Sequence, residues 1–170
     1  MTHTRNGRQT GWMAAVAFGC ALALGCGGGA EEPAAAPLSA ADREQIQQML
    51  EEFLPALAQA YGSGDIEPLR PYAVERVLAY TEKRVADLMG QGMELQARFD
   101  NLVIEDLRTW GNDFGVVTTL ETWDLTYYAT GGQSVISERP GSKSRVGYQV
   151  KKVDGRWLVF HRELKQELTE

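Results

Sequence analysis

The sequence has few of the side chains that bind metal ions or cross-link a chain. It contains two cysteines and two histidines in 170 residues, and Cys20, Cys26 and His3 all lie near the amino terminus. Only His161 lies in the remainder of the chain. A histidine and cysteine metal site needs three or four such ligands, so this class of site is excluded there. No disulfide can form in that region either, and its stability has to come from packing.

Basic residues are in the minority as well. The chain has 17 lysines and arginines against 23 acidic residues, which gives a net charge of −6. Nucleic acids and anionic lipid surfaces are polyanions, so this balance argues against both as the main partner. The sequence shows no internal repeat and no apolar run long enough to cross a bilayer as a helix.

The first 25 residues have the layout of an export signal. Two arginines and no acidic residue precede an apolar run over residues 12–24, and the sequence continues to Ala-Leu-Gly-Cys at residues 23–26. A run of about 13 residues matches the apolar core of a signal peptide and is too short to span a bilayer. The segment therefore predicts export, with cleavage after residue 25.

The cysteine at the end of this segment resembles the lipidation site of bacterial lipoproteins. Residues 23–26 match their lipobox, except that Ala23 and Leu24 stand in the reverse order. The resemblance implies that Cys26 is lipidated and anchors the chain to a membrane. This would be the outer membrane, facing the periplasm, if the source has two membranes. Cys20 is a weaker competing site, and an ordinary signal peptide with a chance cysteine is the alternative.

Residues 26–38 predict a flexible tether, and residues 39–167 a single domain. The stretch GGGAEEPAAAP at residues 27–37 is rich in small residues and cannot pack a core. Removing 25 of the 170 residues leaves 145, which is enough for one domain with its own core. Because the removed segment carries two arginines and no acidic residue, the net charge moves from −6 to −8.

The first half of the domain predicts three helices, over residues 39–62, 66–72 and 74–89. Ser39 can cap the first helix, with Asp42 three residues further on. One face of that helix is apolar at three- and four-residue steps, at Ile46, Met49, Leu50, Phe53, Leu54, Leu57 and Tyr61.

The second half predicts antiparallel strands. Bulky and β-branched residues dominate residues 102–110, 114–128, 145–153 and 156–164. Asp-Gly at residues 154–155 predicts a two-residue hairpin turn between the last two strands. Residues 129–144 predict a loop, with at most a short edge strand near Val135. Helices followed by a meander of strands indicate an α+β fold.

This arrangement resembles the nuclear transport factor 2-like superfamily, in which helices close one side of a curved sheet to form a cone. The resemblance rests on YGSGD at residues 61–65, the long strands and VDGRWLV at residues 153–159. Within that superfamily, residues 117–125, the strand containing Tyr148 and the turn at 155–157 look most like the inter-membrane-space domain of plastid division proteins.

His161, Tyr148 and Glu121 are the candidate catalytic residues. With residues 154–155 as the turn, Val153 pairs with Arg156 and pairing steps outward from there. Steps of two keep the face, so the pairs Lys152–Trp157, Val150–Val159 and Tyr148–His161 share one face. That face is the more apolar one, so we expect Tyr148 and His161 to lie side by side inside the cone. Glu121 would be the nearby acid. A structural histidine at the edge of the core is the alternative.

The aromatic side chains predict either a core or an apolar ligand pocket inside the cone. The candidate pocket residues are Tyr61, Trp123, Tyr127, Tyr148, Trp157 and His161. We predict a non-catalytic domain that binds a small apolar ligand or an envelope protein, without a metal or cofactor. Two alternatives stay open: an isomerase- or hydratase-type enzyme that uses His161 and a carboxylate, and an envelope scaffold. The oligomeric state is also open, with a homodimer as one option.

Lipidation of Cys26 is directly testable. Cys26→Ser should leave the precursor unprocessed and abolish labelling by a fatty-acid probe, because the substituted residue has no thiol to acylate. The matched control Cys20→Ser should be processed and labelled like the natural sequence. Normal labelling of the Cys26 variant would show that the anchor prediction is wrong.

Overall fold

The computed structural model describes residues 39–132 and 134–168. The helical elements are α1 (Ala40–Ser63), a single 3-10 turn (Glu67–Leu69) and α2 (Glu75–Gly90). Four strands follow, β1 (Met93–Trp110), β2 (Phe114–Ala129), β3 (Val135–Val153) and β4 (Arg156–Leu168). They form one antiparallel sheet in the order β1-β2-β3-β4. The predicted signal peptide and tether lie outside the described residues.

The α+β prediction is confirmed, but the prediction of three helices is wrong. The described residues contain two α-helices, and only a 3-10 turn occupies the place of the predicted second helix. Pro68 lies within that turn and Pro71 just after it, and a proline offers no backbone N–H to continue a helix. Helix α1 ends where Gly64 adopts a left-handed conformation and donates its N–H to the Ala60 carbonyl.

Helix α1 forms as the sequence predicts and covers the sheet. The Ser39 hydroxyl accepts the backbone N–H of Asp42 at 3.0 Å, which is the expected cap. The predicted apolar face is buried, with Tyr61 at its margin half-buried. The buried side chains of this helix are Ile46, Met49, Leu50, Phe53, Leu54, Leu57 and Ala60.

The strands are longer than predicted. Strand β1 begins at Met93 and β3 at Val135, so most of the predicted 129–144 loop is strand. Pro140 fits in β3 because that part of the strand pairs with β2 alone, and pairing with β4 starts only at Lys143. There Pro140 and Gly141 form a bulge, and Gly141 donates its N–H to Asp124 at 2.7 Å. Bulges in all three strand pairs curve the sheet.

The end of the β3–β4 hairpin is tied to the start of α1. The Asp42 carboxylate accepts Nζ of Lys152 at 2.7 Å and Nε1 of Trp157 at 2.9 Å. Hydrogen bonds from Lys152, Ser39 and Trp157 lower the pKa of Asp42 to about 2. The Trp157 ring is buried, as the hairpin register predicts. This tie fixes which end of the sheet the helix crosses.

Truncation of Trp157 tests this packing. Trp157→Ala should lower the free energy of unfolding by about 3–5 kcal/mol, because it removes a buried aromatic ring and leaves a cavity. Trp110 is 40 % exposed and is the matched control, and Trp110→Ala should cost about 1 kcal/mol or less. Urea unfolding followed by circular dichroism measures both. Equal losses in the two variants would contradict the burial of Trp157.

Candidate functional site

A bulge in β4 decides which side chains of the last strand point inward. The hairpin register matches the prediction from its turn as far as the pair Val150 and Val159. Phe160 is then an extra residue in β4, so His161 pairs with Gln149 and Tyr148 pairs with Arg162. The predicted contact between Tyr148 and His161 is therefore wrong. A one-residue slip moves every following side chain to the other face, and the turn-based register did not include it.

The inward side chain opposite Tyr148 is thus an arginine. Arg162 donates from Nη2 to Glu121 at 2.9 Å and from Nε to the Tyr148 hydroxyl at 3.1 Å. Glu121 is 0 % exposed and Tyr148 is also buried, as their strand positions predict. The guanidinium therefore neutralises a carboxylate that is sealed from solvent.

The carboxylate of Glu121 is fully hydrogen-bonded. Its Oε1 accepts the hydroxyls of Thr119 at 3.1 Å and Tyr148 at 2.5 Å. Its Oε2 accepts Nε1 of Trp123 at 2.9 Å and Nη2 of Arg162. We call these five residues the Glu121 network. A general base needs a free lone pair within reach of a substrate proton, and Glu121 offers none.

Tyr148 stays protonated in this network. Burial raises the pKa of its phenol well above the ordinary value. The charge of Arg162 opposes that rise, and the charge and hydrogen bond of Glu121 add to it. The hydroxyl therefore acts as a fixed hydrogen-bond donor to Glu121 and not as an acid near neutral pH.

The network ends at an open groove between α2 and β4. We call it the α2–β4 groove; its volume is about 740 Å³. Arg76, Tyr80 and Arg84 face it from α2 at four-residue steps, which places them on one side of the helix. The remaining lining residues are Tyr61, Val77, Lys83, Asp87, Phe160, His161, Arg162, Glu163 and Leu164. The Arg162 side chain is 25 % exposed, so the network presents it to this groove.

Positive charge is in excess in the groove. Lys83 pairs with Asp87 at 2.7 Å, and Glu163 pairs with Lys165. Arg76 and Arg84 have no ion-pair partner among residues 39–132 and 134–168. The groove therefore offers two uncompensated guanidinium groups to a ligand.

The structure distributes the predicted pocket residues over different places. Trp123, Tyr148 and Trp157 belong to the packed core, whereas Tyr61 and His161 line the groove. Tyr127 is half-buried, and its ring centroid lies 6.0 Å from Cζ of Arg139. Arg76, Tyr80 and Arg84 were not among the predicted site residues, although their four-residue spacing is visible in the sequence. Arg162 was not among them either, and no local pattern marks it.

In the part of the chain that the structure describes, no group of three or more histidine, cysteine, aspartate and glutamate side chains could hold a metal ion. Neither α1 nor α2 combines the length and apolar character that crossing a bilayer requires.

Comparison with known proteins identifies the fold. No protein-family model and no curated protein matches the chain. The intermembrane space region of chloroplast protein ARC6 aligns with 13% identity over 76% of this chain and 98% of that chain, at a TM-score of 0.59. An NTF-2 like protein of unknown function from Shewanella oneidensis MR-1 aligns with 16% identity over 72% and 98%, at a TM-score of 0.42. The predicted resemblance to an intermembrane-space domain of this kind is confirmed at the level of the fold, and at 13% identity the likeness shows the fold alone.

Substitution of Glu121 tests the network. Glu121→Gln should lower the free energy of unfolding by about 3 kcal/mol, the lower end for a broken buried pair, because Arg162 keeps some solvent contact. The matched control is Glu105→Gln, since Glu105 binds Arg145 in an exposed ion pair. That variant should lose about 1 kcal/mol or less in the same urea titration. A loss for Glu121→Gln no greater than the control's would show that the buried pair does not hold the sheet.

Proposed function

We propose that this chain is a lipid-anchored protein of the bacterial cell envelope whose domain binds a ligand in the α2–β4 groove and catalyses no reaction. The anchor part of the proposal rests on the export signal and on Cys26. An envelope location also agrees with the origin of the similar solved domain, which is itself an intermembrane space region. The single observation that supports binding without catalysis is the saturated Glu121 network beneath an open groove.

The groove has the properties of a small-molecule site. Its volume of about 740 Å³ lies within the usual range of about 300–1,000 Å³ for such sites. It combines apolar and aromatic walls with a few charged groups. Arg162 is held in place by Glu121 and Tyr148, so a ligand that contacts it would not have to order that side chain.

The enzyme alternative has weaker support. It needs His161 next to a carboxylate that is free to accept a proton, and Glu121 is saturated and on the other face of the sheet. Two carboxylates line the groove, and each forms an ion pair with a lysine: Asp87 with Lys83 and Glu163 with Lys165. A binding role therefore fits these side chains better than proton transfer does.

A second candidate function is docking of an envelope protein, and one observation favours it. Val135 and Ile136 are exposed at the start of β3, where the strand pairs with β2 alone. Apolar side chains on an unpaired strand edge are a common docking feature. This surface is separate from the α2–β4 groove, so the two functions can be tested independently.

Native mass spectrometry of the purified full chain tests ligand binding. We expect a small molecule to remain bound to the natural sequence, because the groove is preorganised. Leu164 is exposed and lines the groove, and Leu164→Trp should fill it and remove the bound mass. The matched control Val135→Trp places the same ring on the second surface and should retain the ligand. His161→Gln should also retain it.

Two results would contradict the proposal. One is a ligand that stays bound in Leu164→Trp as it does in the natural chain, which would place the site elsewhere. The other is conversion of the bound molecule to a product that stops in His161→Gln, which would show an enzyme.

A further inference from the structure

The α2–β4 groove carries an excess of positive charge, and arginine side chains supply it. Arg76 and Arg84 are exposed on α2 without an ion-pair partner in the described part of the chain, whereas Asp87 and Glu163 are paired with lysines. Arginine presents a planar fork of N–H donors that matches the two oxygens of a carboxylate or phosphate. Two such side chains on one helix face therefore favour an oxyanion.

Arg162 adds donors from the opposite wall. Of its five N–H groups, the Glu121 network uses one on Nε and one on Nη2. The other three have no hydrogen-bond acceptor among the residues that the structure describes, and a quarter of the side chain is exposed. Arg162 can therefore neutralise Glu121 and still donate to a ligand.

The arginines lie close to an aromatic surface. Burial raises the pKa of Tyr61, and the charges of Arg162 and Arg84 oppose that rise, so both guanidinium groups lie within electrostatic reach of its phenol. Tyr80 lies between Arg76 and Arg84 on the helix face and is 66 % exposed, which is unusual for so large a ring. Rings of this kind pack against a flat apolar body.

We infer that the α2–β4 groove binds a small molecule that carries a carboxylate or phosphate on a flat apolar body. Arg76, Arg84 and Arg162 would hold the oxyanion, and Tyr61 and Tyr80 would contact the body. The inference rests on the proposed function and names the class of its ligand. A net charge of −6 for the whole chain makes a small anion, and not an extended polyanion, the partner that a local arginine cluster suits.

Titration of the full chain with simple aromatic probes tests the inference. Phenyl phosphate and benzoate should bind at least about tenfold more tightly than benzamide, which has the shape of benzoate without its charge. The double variant Arg76→Gln, Arg84→Gln should weaken both anions by about tenfold. Arg43 and Arg108 are exposed outside the groove, and the control Arg43→Gln, Arg108→Gln should bind as the natural chain does. Isothermal calorimetry measures the affinities.

A Tyr80 variant tests the apolar body of the ligand independently of its oxyanion. Tyr80→Ser should weaken phenyl phosphate and leave inorganic phosphate unchanged, because only the first has a ring to stack. Equal effects on both probes would show that Tyr80 does not contact the apolar body, and would overturn that half of the inference.

The remaining outcomes separate this inference from the proposed function. If benzamide binds as tightly as benzoate and the arginine double variant has no effect, the oxyanion part of the inference is wrong. Loss of the native ligand in Leu164→Trp would in that case still support binding in the groove. Arginine-dependent binding to phosphatidylglycerol vesicles, without binding of phenyl phosphate, would assign the oxyanion to a lipid headgroup and overturn the small molecule. Failure of Leu164→Trp to remove the native ligand would refute the proposed function itself.

Discussion

The buried carboxylate of Glu121 is the constraint on which the sheet depends. An ionised group that is 0 % exposed costs several kcal/mol of desolvation unless charge and hydrogen bonds offset it. Three strands supply that compensation: β2 through Thr119 and Trp123, β3 through Tyr148 and β4 through Arg162. The register of β2, β3 and β4 has to bring all of these groups to one point, so the network selects one alignment of the sheet.

The same interaction couples the core to the candidate site. Nε and Nη2 of Arg162 are hydrogen-bonded within the Glu121 network, and the same side chain lines the α2–β4 groove. A long, flexible side chain is thereby held in one position before any ligand arrives, which lowers the entropy lost on binding. The ion pair between Arg162 and Glu121 therefore stabilises the core and also fixes one wall of the groove.

A second polar tie holds the other end of the domain. Asp42, Lys152 and Trp157 join the first turn of α1 to the β3–β4 hairpin. The buried face of α1 belongs to the same core cluster as the inner side chains Val117 of β2 and Val146 of β3, and Phe53 of α1 meets the Tyr148 ring edge-on. The helix therefore cannot slide along the sheet without breaking polar contacts, and apolar packing alone would not set its position so narrowly.

The sequence by itself determined the features that depend on local periodicity. The 3.6-residue pattern predicts α1 and its buried face, Asp-Gly predicts the hairpin turn, and alternation places Glu121, Tyr148 and Trp157 inward. These predictions succeed because neighbours along the chain carry the necessary information. Strand ends at Met93 and Val135 were missed because polar outer faces and Pro140 mask the alternation there.

Only the tertiary structure decided the inner face of the last strand and the groove beside it. Pairing of Arg162 with Glu121 joins residues 41 positions apart, and the bulge at Phe160 makes that pairing geometrically available. Without the bulge, the turn would place His161 opposite Tyr148 and leave Glu121 without its guanidinium. Leaving the buried carboxylate without a counter-charge would cost more free energy than the bulge, which disturbs only part of the hairpin's hydrogen-bond ladder. The pattern of β4 cannot predict this bulge, because the carboxylate belongs to another strand.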